Sequence, residues 1–209
     1  MKIIETAIRR RRLYLLRLDN DTEYTVDRQT LDESPYRVGT DITDEQLEAL
    51  LTKSQYNRAR ERALYLLGLR DYACSELEKK LYTEATPEIA AAVVERLCEV
   101  GLLDDARYAA RLARHLTEYK QYPRRRVEQE LRHRGIDAAT VCDAVSALEG
   151  EDFQQALALL EKKYYNKMKS PEDRQRVIAA LARRGFTYTA IRRAMDAFGA
   201  DTEEEEQWP

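Results

Sequence analysis

Arg124, Arg125 and Arg126 stand in a row, and Arg132 and Arg134 follow within the same short segment. A guanidinium carries a fixed charge and five donors in a rigid fork, so a cluster of them suits the oxygens of phosphates and carboxylates. Val127 and Leu131 mark the buried side of a helix over this segment. At about 100° per residue, Arg125 and Arg132 share the face turned away from that stripe, with Arg126 beside it. Fifty positions later Arg174, Arg176, Arg183 and Arg184 repeat part of the group around Val177 and Leu181, with Lys162, Lys163, Lys167, Lys169, Arg192 and Arg193 nearby. These arginines are the candidate binding residues for a polyanion or an acidic protein face; a solvated helical surface is the plainer alternative. Tyr108, Tyr119, Tyr122, Tyr164, Tyr165 and Tyr188 border the bases. Their rings suit either stacking on nucleobases or filling seams between helices.

No other constellation suggests a reaction. The sequence has no phosphate-cradling glycine loop, no HExxH and no GxSxG. His115 and His133 stand apart, with no acid or cysteine spacing around them that makes a ligand set. Asp104-Asp105 sits where a helix begins, and capping explains it. Cys74, Cys98 and Cys142 are scattered and odd in number, with no CxxC pair. That excludes a disulfide framework and fits a reducing cytoplasm. The expectation is a chain that is not an enzyme, with no metal, no cofactor and no small-molecule substrate.

The elements that must position the arginines are repeats. Arg124, Arg126, Val127, Leu131, Arg134 and Gly135 recur as Arg174, Arg176, Val177, Leu181, Arg184 and Gly185, and Ile136, Val141, Val145 and Leu148 as Phe186, Ile191, Met195 and Phe198. Leu77 and Leu81 hold the equivalent places fifty residues earlier. A fixed period of this length signals stacked supersecondary units. Three units follow, 58–103, 104–150 and 151–199, each reading as three helices.

The first helix of each unit carries Ala63, Leu64 and Leu67, then Tyr108, Ala109 and Leu112, then Ala156, Leu157 and Leu160. The second is the short helix with its apolar pair. The third carries an i, i+4, i+7 or i+8 stripe, Ile89, Val93 and Leu97 in the first unit. Thr86-Pro87-Glu88 and Ser170-Pro171-Glu172 place a hydroxyl before a first-turn proline. Asp137 and Thr187 sit at the start of third helices, and Gly101, Gly135 and Gly185 follow last turns. A unit of this size buries little core alone, so the units should stack into an elongated array.

Residues 1–57 differ. Leu13 to Leu18, Asp19-Asn20-Asp21 and Thr22 to Val26 read as a β-hairpin, with Ile3 to Ile8 as a third strand or a packing partner. Thr43-Asp44-Glu45-Gln46 is a capping-box pattern opening a linker helix through Leu47, Leu50 and Leu51. The fold class is therefore mainly α: tandem three-helix repeats, preceded by a β-hairpin or short sheet plus a helix.

Length and composition agree. The chain has 209 residues, 44% hydrophobic and 35% charged, with only 7 Gly and 5 Pro. That disfavours a β-sandwich and a disordered chain. No apolar run is long enough to span a membrane, and Met1 to Leu18 lacks the order of a signal peptide. The net charge of −3 is uneven: 151–199 holds ten Lys/Arg against six Asp/Glu, whereas 200–209 holds five acids and no base. The tail, 200–209, reads as acidic and disordered, a competitor for the basic face.

Three stretches resemble the RecX family of recombination regulators. Ala63-Leu64-Tyr65-Leu66-Leu67-Gly68-Leu69-Arg70-Asp71-Tyr72, leading to Glu76-Leu77-Glu78-Lys79-Lys80-Leu81, is similar to that family's first-repeat signature. Gly101-Leu102-Leu103-Asp104-Asp105-Ala106-Arg107-Tyr108-Ala109 resembles its Gly-Leu-[Leu/Ile]-Asx-Asp run before Tyr-Ala. Glu130-Leu131-Arg132-His133-Arg134-Gly135-Ile136 resembles its Glu-Leu-x-x-[Lys/Arg]-Gly-Ile. Ala73 departs from the family's usual serine, which leaves the second helix of the first unit without its cap, a place for Asp71 or Ser75.

The resemblance covers 58–199 and marks Leu77, Leu81, Gly101, Leu102, Leu103, Asp105, Tyr108, Ala109, Leu131 and Gly135 as structural motif positions. It implies a non-catalytic cytoplasmic regulator of DNA repair and the SOS response. Such a regulator binds the RecA recombinase filament on single-stranded DNA and restrains recombination and ATPase activity; the single-stranded DNA backbone is a further candidate contact, left open by the sequence. A helix-turn-helix DNA-binding module and a general helical interaction scaffold are the competing readings.

Overall fold

The computed structural model describes residues 1–10, 12–148, 150–168 and 170–205. The chain forms two compact units, Met1–Asp104 and Asp105–Pro209. Lys169 and the end of the acidic tail, 206–209, lie outside the described residues.

The first unit opens with strands β1 (Ile3–Arg10), β2 (Leu13–Leu18) and β3 (Glu23–Asp27), paired antiparallel in that order. The β2–β3 turn works as its residues predict. Asp21 takes a left-handed φ of 60°, and the Thr22 amide donates to Asn20 Oδ1 at 3.1 Å. One face of the sheet buries Ile3, Leu16, Leu18 and Val26 against Leu31, Ile42, Leu47 and Leu50. Leu31 lies on the short helix α1 (Arg28–Glu33), which Asp27 caps by accepting from Thr30 N.

Helix α2 runs unbroken from Asp44 to Leu69. The capping box is present as expected, with Thr43 Oγ1 accepting from Gln46 N and Gln46 Oε1 accepting from Thr43 N. The boundary expected at 57/58 falls inside this helix and is corrected. No Gly or Pro interrupts 44–67, and the two halves bury opposite sides. Leu47, Leu50 and Ser54 face the sheet, while Ala59, Ala63 and Leu66 face the next two helices. At about 100° per residue those sets lie on roughly opposite faces. Ser54 Oγ accepts from the Asp27 amide at 2.8 Å and ties α2 to the end of β3.

The first repeat is completed by α3 (Cys74–Leu81) and α4 (Pro87–Glu99). Leu77, Leu81, Ala90, Val93, Val94 and Leu97 form its core with α2. Leu64, expected inside, is 41% exposed, because the buried stripe runs through Ala59, Ala63 and Leu66. The N-cap of α3 is Ala73, with no side-chain cap. Thr86 is a second correction, since its side chain does not cap α4. Glu88 bonds its own backbone N–H, with the Thr86 hydroxyl as a further donor, and both hold its carboxyl below the usual range.

The second unit contains α5 (Asp105–Glu118), α6 (Arg124–His133), α7 (Ala138–Ser146), α8 (Asp152–Leu159), α9 (Pro171–Arg183) and α10 (Tyr188–Glu205). A π-helical turn, Leu160–Tyr164, and a 3-10 turn, Tyr165–Lys167, continue α8. Ala156, Leu159, Leu160, Val177, Leu181, Phe186, Ile191, Ala194 and Phe198 form one core. Ser170 caps α9 by accepting from Asp173 N at 3.1 Å, and Thr187 Oγ1 accepts from Ala190 N at 3.2 Å. Helix α10 extends to Glu205, so 200–205, expected to be disordered, is helical; no Gly or Pro lies within 200–205 and glutamate is a good helix former.

Three glycines end their helices in the same way. Gly101, Gly135 and Gly185 have φ of 72°, 78° and 99°. Each donates three residues back, to Cys98 O, Arg132 O and Ala182 O, and the next residue donates to Leu97 O, Leu131 O or Leu181 O. That is the Schellman pattern. A Cβ at Gly101 meets nothing within 4 Å, whereas one at Gly185 meets Arg126 Cβ at 3.3 Å. Gly101→Ala is therefore expected to cost about 1 kcal/mol from its left-handed backbone alone. Gly185→Ala should cost clearly more, because the α9–α10 turn has to lift off α6. Urea unfolding of both variants checks the order.

Asp137 caps α7 by accepting from Ala139 N and Thr140 N, both at 3.0 Å. Hydrogen bonds from Thr140, first of all its side chain, hold the Asp137 carboxyl below its ordinary value. A depressed carboxyl adds stability that is present above its unfolded pKa and fades as pH falls through its folded pKa. The Tm advantage of the native chain over Asp137→Ala should thus be full at neutral pH and shrink in acid below the carboxylate range. Thermal melts across that range test it.

Candidate functional site

The arginines separate into groups once their partners are known. Arg124 is half-buried, and its Nη2 donates to the carbonyls of Leu148 at 2.6 Å and Gly150 at 2.9 Å. Its backbone amide donates to Asp152 Oδ1 at 3.0 Å. Pro123 occupies the N-cap of α6 and offers no side-chain cap, so the following repeat supplies the acceptor. Arg126 lies with its guanidinium carbon 4.3 Å from the centre of the Tyr122 ring, and its Cβ packs against Gly185 of the third repeat. Arg134 Nη1 donates to Tyr108 Oη at 2.8 Å, joining the end of α6 to α5. These three, expected on an open binding face, fasten the second unit together instead. The reason is local: each reaches a carbonyl, a ring or a hydroxyl brought near by the fold.

The remaining arginines face outward. Arg125, Arg174 and Arg183 are exposed, and their side chains have no ionic or hydrogen-bonded partner among the described residues. Arg132 pairs with Glu128 at 2.6 Å, and Arg176 with Asp173 at 3.2 Å. Both arginines are exposed, their acids half-buried, and each pair lies within one helical turn, a class worth about 0.3–0.5 kcal/mol. An incoming anion can displace such acids at little cost. Arg184 is half-buried. The expected face of α6 is real for Arg125 and Arg132, since Val127 and Leu131 are 0% exposed on the opposite side.

Helix α5 carries further cations outside the repeated arginine cluster. Arg107, Arg111 and Arg114 are all exposed, and their i, i+4, i+7 spacing sets them in one line. The period that locates buried stripes finds this line too when applied to charge. Lys162 and Lys163 are exposed on the π-helical turn. Arg192 reaches Asp196 only at 4.0 Å, whereas Arg193 is taken up by Glu151 at 2.7 Å and the face of Phe153.

The tyrosines divide as well. Tyr108 is buried, and Tyr122 lies under Arg126. Tyr164 packs on the core of the third repeat, and Tyr165 meets Phe198 edge-on with centroids 5.9 Å apart. Of the six tyrosines beside the bases, Tyr119 and Tyr188 are the most exposed, at 75% and 73%.

The motif positions are structural. Leu77, Leu81, Leu131 and Ala109 are 0% exposed, Leu103 is buried, and Asp105 lies in the first turn of α5. Leu102 is the exception at 52% exposed: the chain turns at Gly101 and carries only Leu103 inward. His115 stacks on Tyr119 with ring centres 5.1 Å apart, and His133 is an exposed last-turn residue of α6. Among the described residues, no group of three or more His, Cys, Asp or Glu is placed to hold a metal ion. None of their helices is long and apolar enough to cross a membrane.

Comparison with known proteins supplies a family. Models of the second and third three-helix domains of RecX match residues 104–145 and 149–195. A regulatory protein RecX from Trichlorobacter lovleyi is 34% identical over 140 residues, covering 64% of this chain and 91% of the relative. One from Halorhodospira halophila is 35% identical over 148 residues, covering 69% and 90%. A crystal structure of regulatory protein RecX superposes with a TM-score of 0.65 at 25% identity, covering 93% of this chain and 98% of the other. Repeats, glycine-ended helices and these relatives agree, and the chain belongs to the RecX family of regulatory proteins.

Proposed function

We propose that this protein is a non-catalytic regulator that binds the RecA recombinase on single-stranded DNA and restrains its recombination and ATPase activities. Its family membership supports this choice of partner. The observation that carries the proposed mode is the separation of the arginines: one set holds the second unit together, and another, Arg125, Arg174 and Arg183 with Arg132 and Arg176, stands on exposed helix faces. Exposed guanidinium forks suit a phosphate backbone or an acidic protein surface. Repeats in series supply several weak contacts, which tethering adds into one stable engagement. Such a protein acts by occupying the filament, and its job requires no reactive group.

The test uses the cognate recombinase on single-stranded DNA, read by co-sedimentation and by ATP hydrolysis. Retention on the filament with slowed hydrolysis is expected at micromolar protein; neither binding nor slowing overturns the reading. The tight connection Arg134–Asp137 between α6 and α7 favours one other reading, a helix-turn-helix module for duplex DNA. Sequence-selective duplex binding supports that alternative, and a salt-steep affinity with no sequence preference removes it.

A further inference from the structure

The sequence spacing of Cys74 and Cys98 gives no hint of a pair, yet their sulfurs lie 3.3 Å apart. Cys74 opens α3 and Cys98 stands in the last turn of α4. Cys74 is half-buried and Cys98 is exposed, so an oxidant reaches the pair from solvent. The third thiol, Cys142, is in the other unit and has Ser146 Oγ as its neighbour at 4.0 Å.

We propose that Cys74 and Cys98 form a reversible modification site, a thiol pair that hydrogen peroxide converts to a disulfide linking α3 to α4. Bond formation brings the sulfurs to about 2.05 Å, a closure of about 1.3 Å. Rotation about the two Cα–Cβ bonds is the motion that would close this gap, at the edge of the core formed by Leu77, Leu81, Val93 and Leu97.

In the first step the Cys98 thiolate attacks one peroxide oxygen. The O–O bond breaks, one water leaves after protonation, and a sulfenic acid remains. In the second step the Cys74 sulfur attacks the Cys98 sulfur. The S–O bond breaks, the second oxygen departs as water, and the S–S bond forms. Two thiols lose two electrons and two protons, and one peroxide becomes two waters. A low-molecular-weight thiol reverses the change by exchange. The adjacent second thiol matters because it traps the sulfenic acid before further, irreversible oxidation.

The experiment treats the full-length protein with stoichiometric hydrogen peroxide, alkylates remaining thiols, digests with trypsin and reads masses with and without dithiothreitol. The expected product joins fragments 71–79 and 97–107, has lost two hydrogens relative to the separate peptides, and disappears on reduction. In Cys74→Ser treated with excess peroxide, which supplies one further equivalent per step, Cys98 is expected to pass instead to the sulfinic and sulfonic acids. Cys74→Ala serves the same purpose should the serine disturb α3. Recovery of both fragments singly alkylated or singly oxidised from the native chain overturns the proposal. So does cross-linking only between molecules. The readout needs no recombinase, and it stands or falls apart from the regulatory reading.

Discussion

Reversing Arg125, Arg174 and Arg183 together to glutamate is expected to weaken binding to the recombinase filament about 100-fold or more at low salt. Each phosphate contact released by such a change lowers the slope of log affinity against log salt by about one. Three lost contacts, each replaced by repulsion, therefore act jointly. Their exposure and the lack of partners among the described residues predict that folding is spared, within about 0.5 kcal/mol. The matched control replaces Arg124, Arg126 and Arg134, which hold carbonyls, a ring and a hydroxyl. That control should unfold the second unit more readily before it changes affinity. Salt-dependent binding measured by anisotropy on filaments, alongside urea unfolding, separates the two sets. Unchanged affinity and unchanged ATPase inhibition for the exposed trio would place the contact on another surface and discard the proposed mode.

The contrast between those trios explains what the sequence could and could not convey. Charge clusters are visible in a sequence, but the partners that neutralise or anchor them are often backbone carbonyls. Leu148 O and Gly150 O, which hold Arg124, carry no side-chain signature. Local signals hold at Gly135 and Gly185 as helix ends, at Asp137 and Ser170 as caps and at Asn20-Asp21 as a turn, though not at Thr86. Periodicity located Val127, Leu131, Val177 and Leu181 in the core. It misplaced the start of the first repeat, because α2 buries opposite faces in its two halves and a single-face pattern describes neither. Leu64 was assigned inward for the same reason. The Cys74–Cys98 contact was invisible for a third: two residues brought together where the start of α3 meets the end of α4 share no spacing rule.

Leu181→Ala should destabilise the second unit by about 4 kcal/mol, and Leu131→Ala by a similar amount. Both side chains are 0% exposed. Each backbone carbonyl also accepts the amide just past the helix-ending glycine, from Phe186 at 3.3 Å and Ile136 at 3.4 Å. Phe186 and Ile136 are themselves buried, so each leucine stands where helix end, turn and core meet. Truncating it removes apolar contact and leaves a void that the Schellman turn keeps from collapsing, since the hydrogen bonds hold the backbone in place. That predicts a cost above the middle of the usual range for a partly collapsible site, and it predicts equality between repeats if the turn is what limits relaxation. Hydrogen exchange read by mass spectrometry reports each unit separately and is the measurement to use. Loss of protection confined to 105–205, with the first unit unchanged, is expected. A cost below about 1 kcal/mol at either leucine would mean that the glycine turn yields, and that the repeats draw their rigidity from contacts such as Arg126 on Gly185 instead.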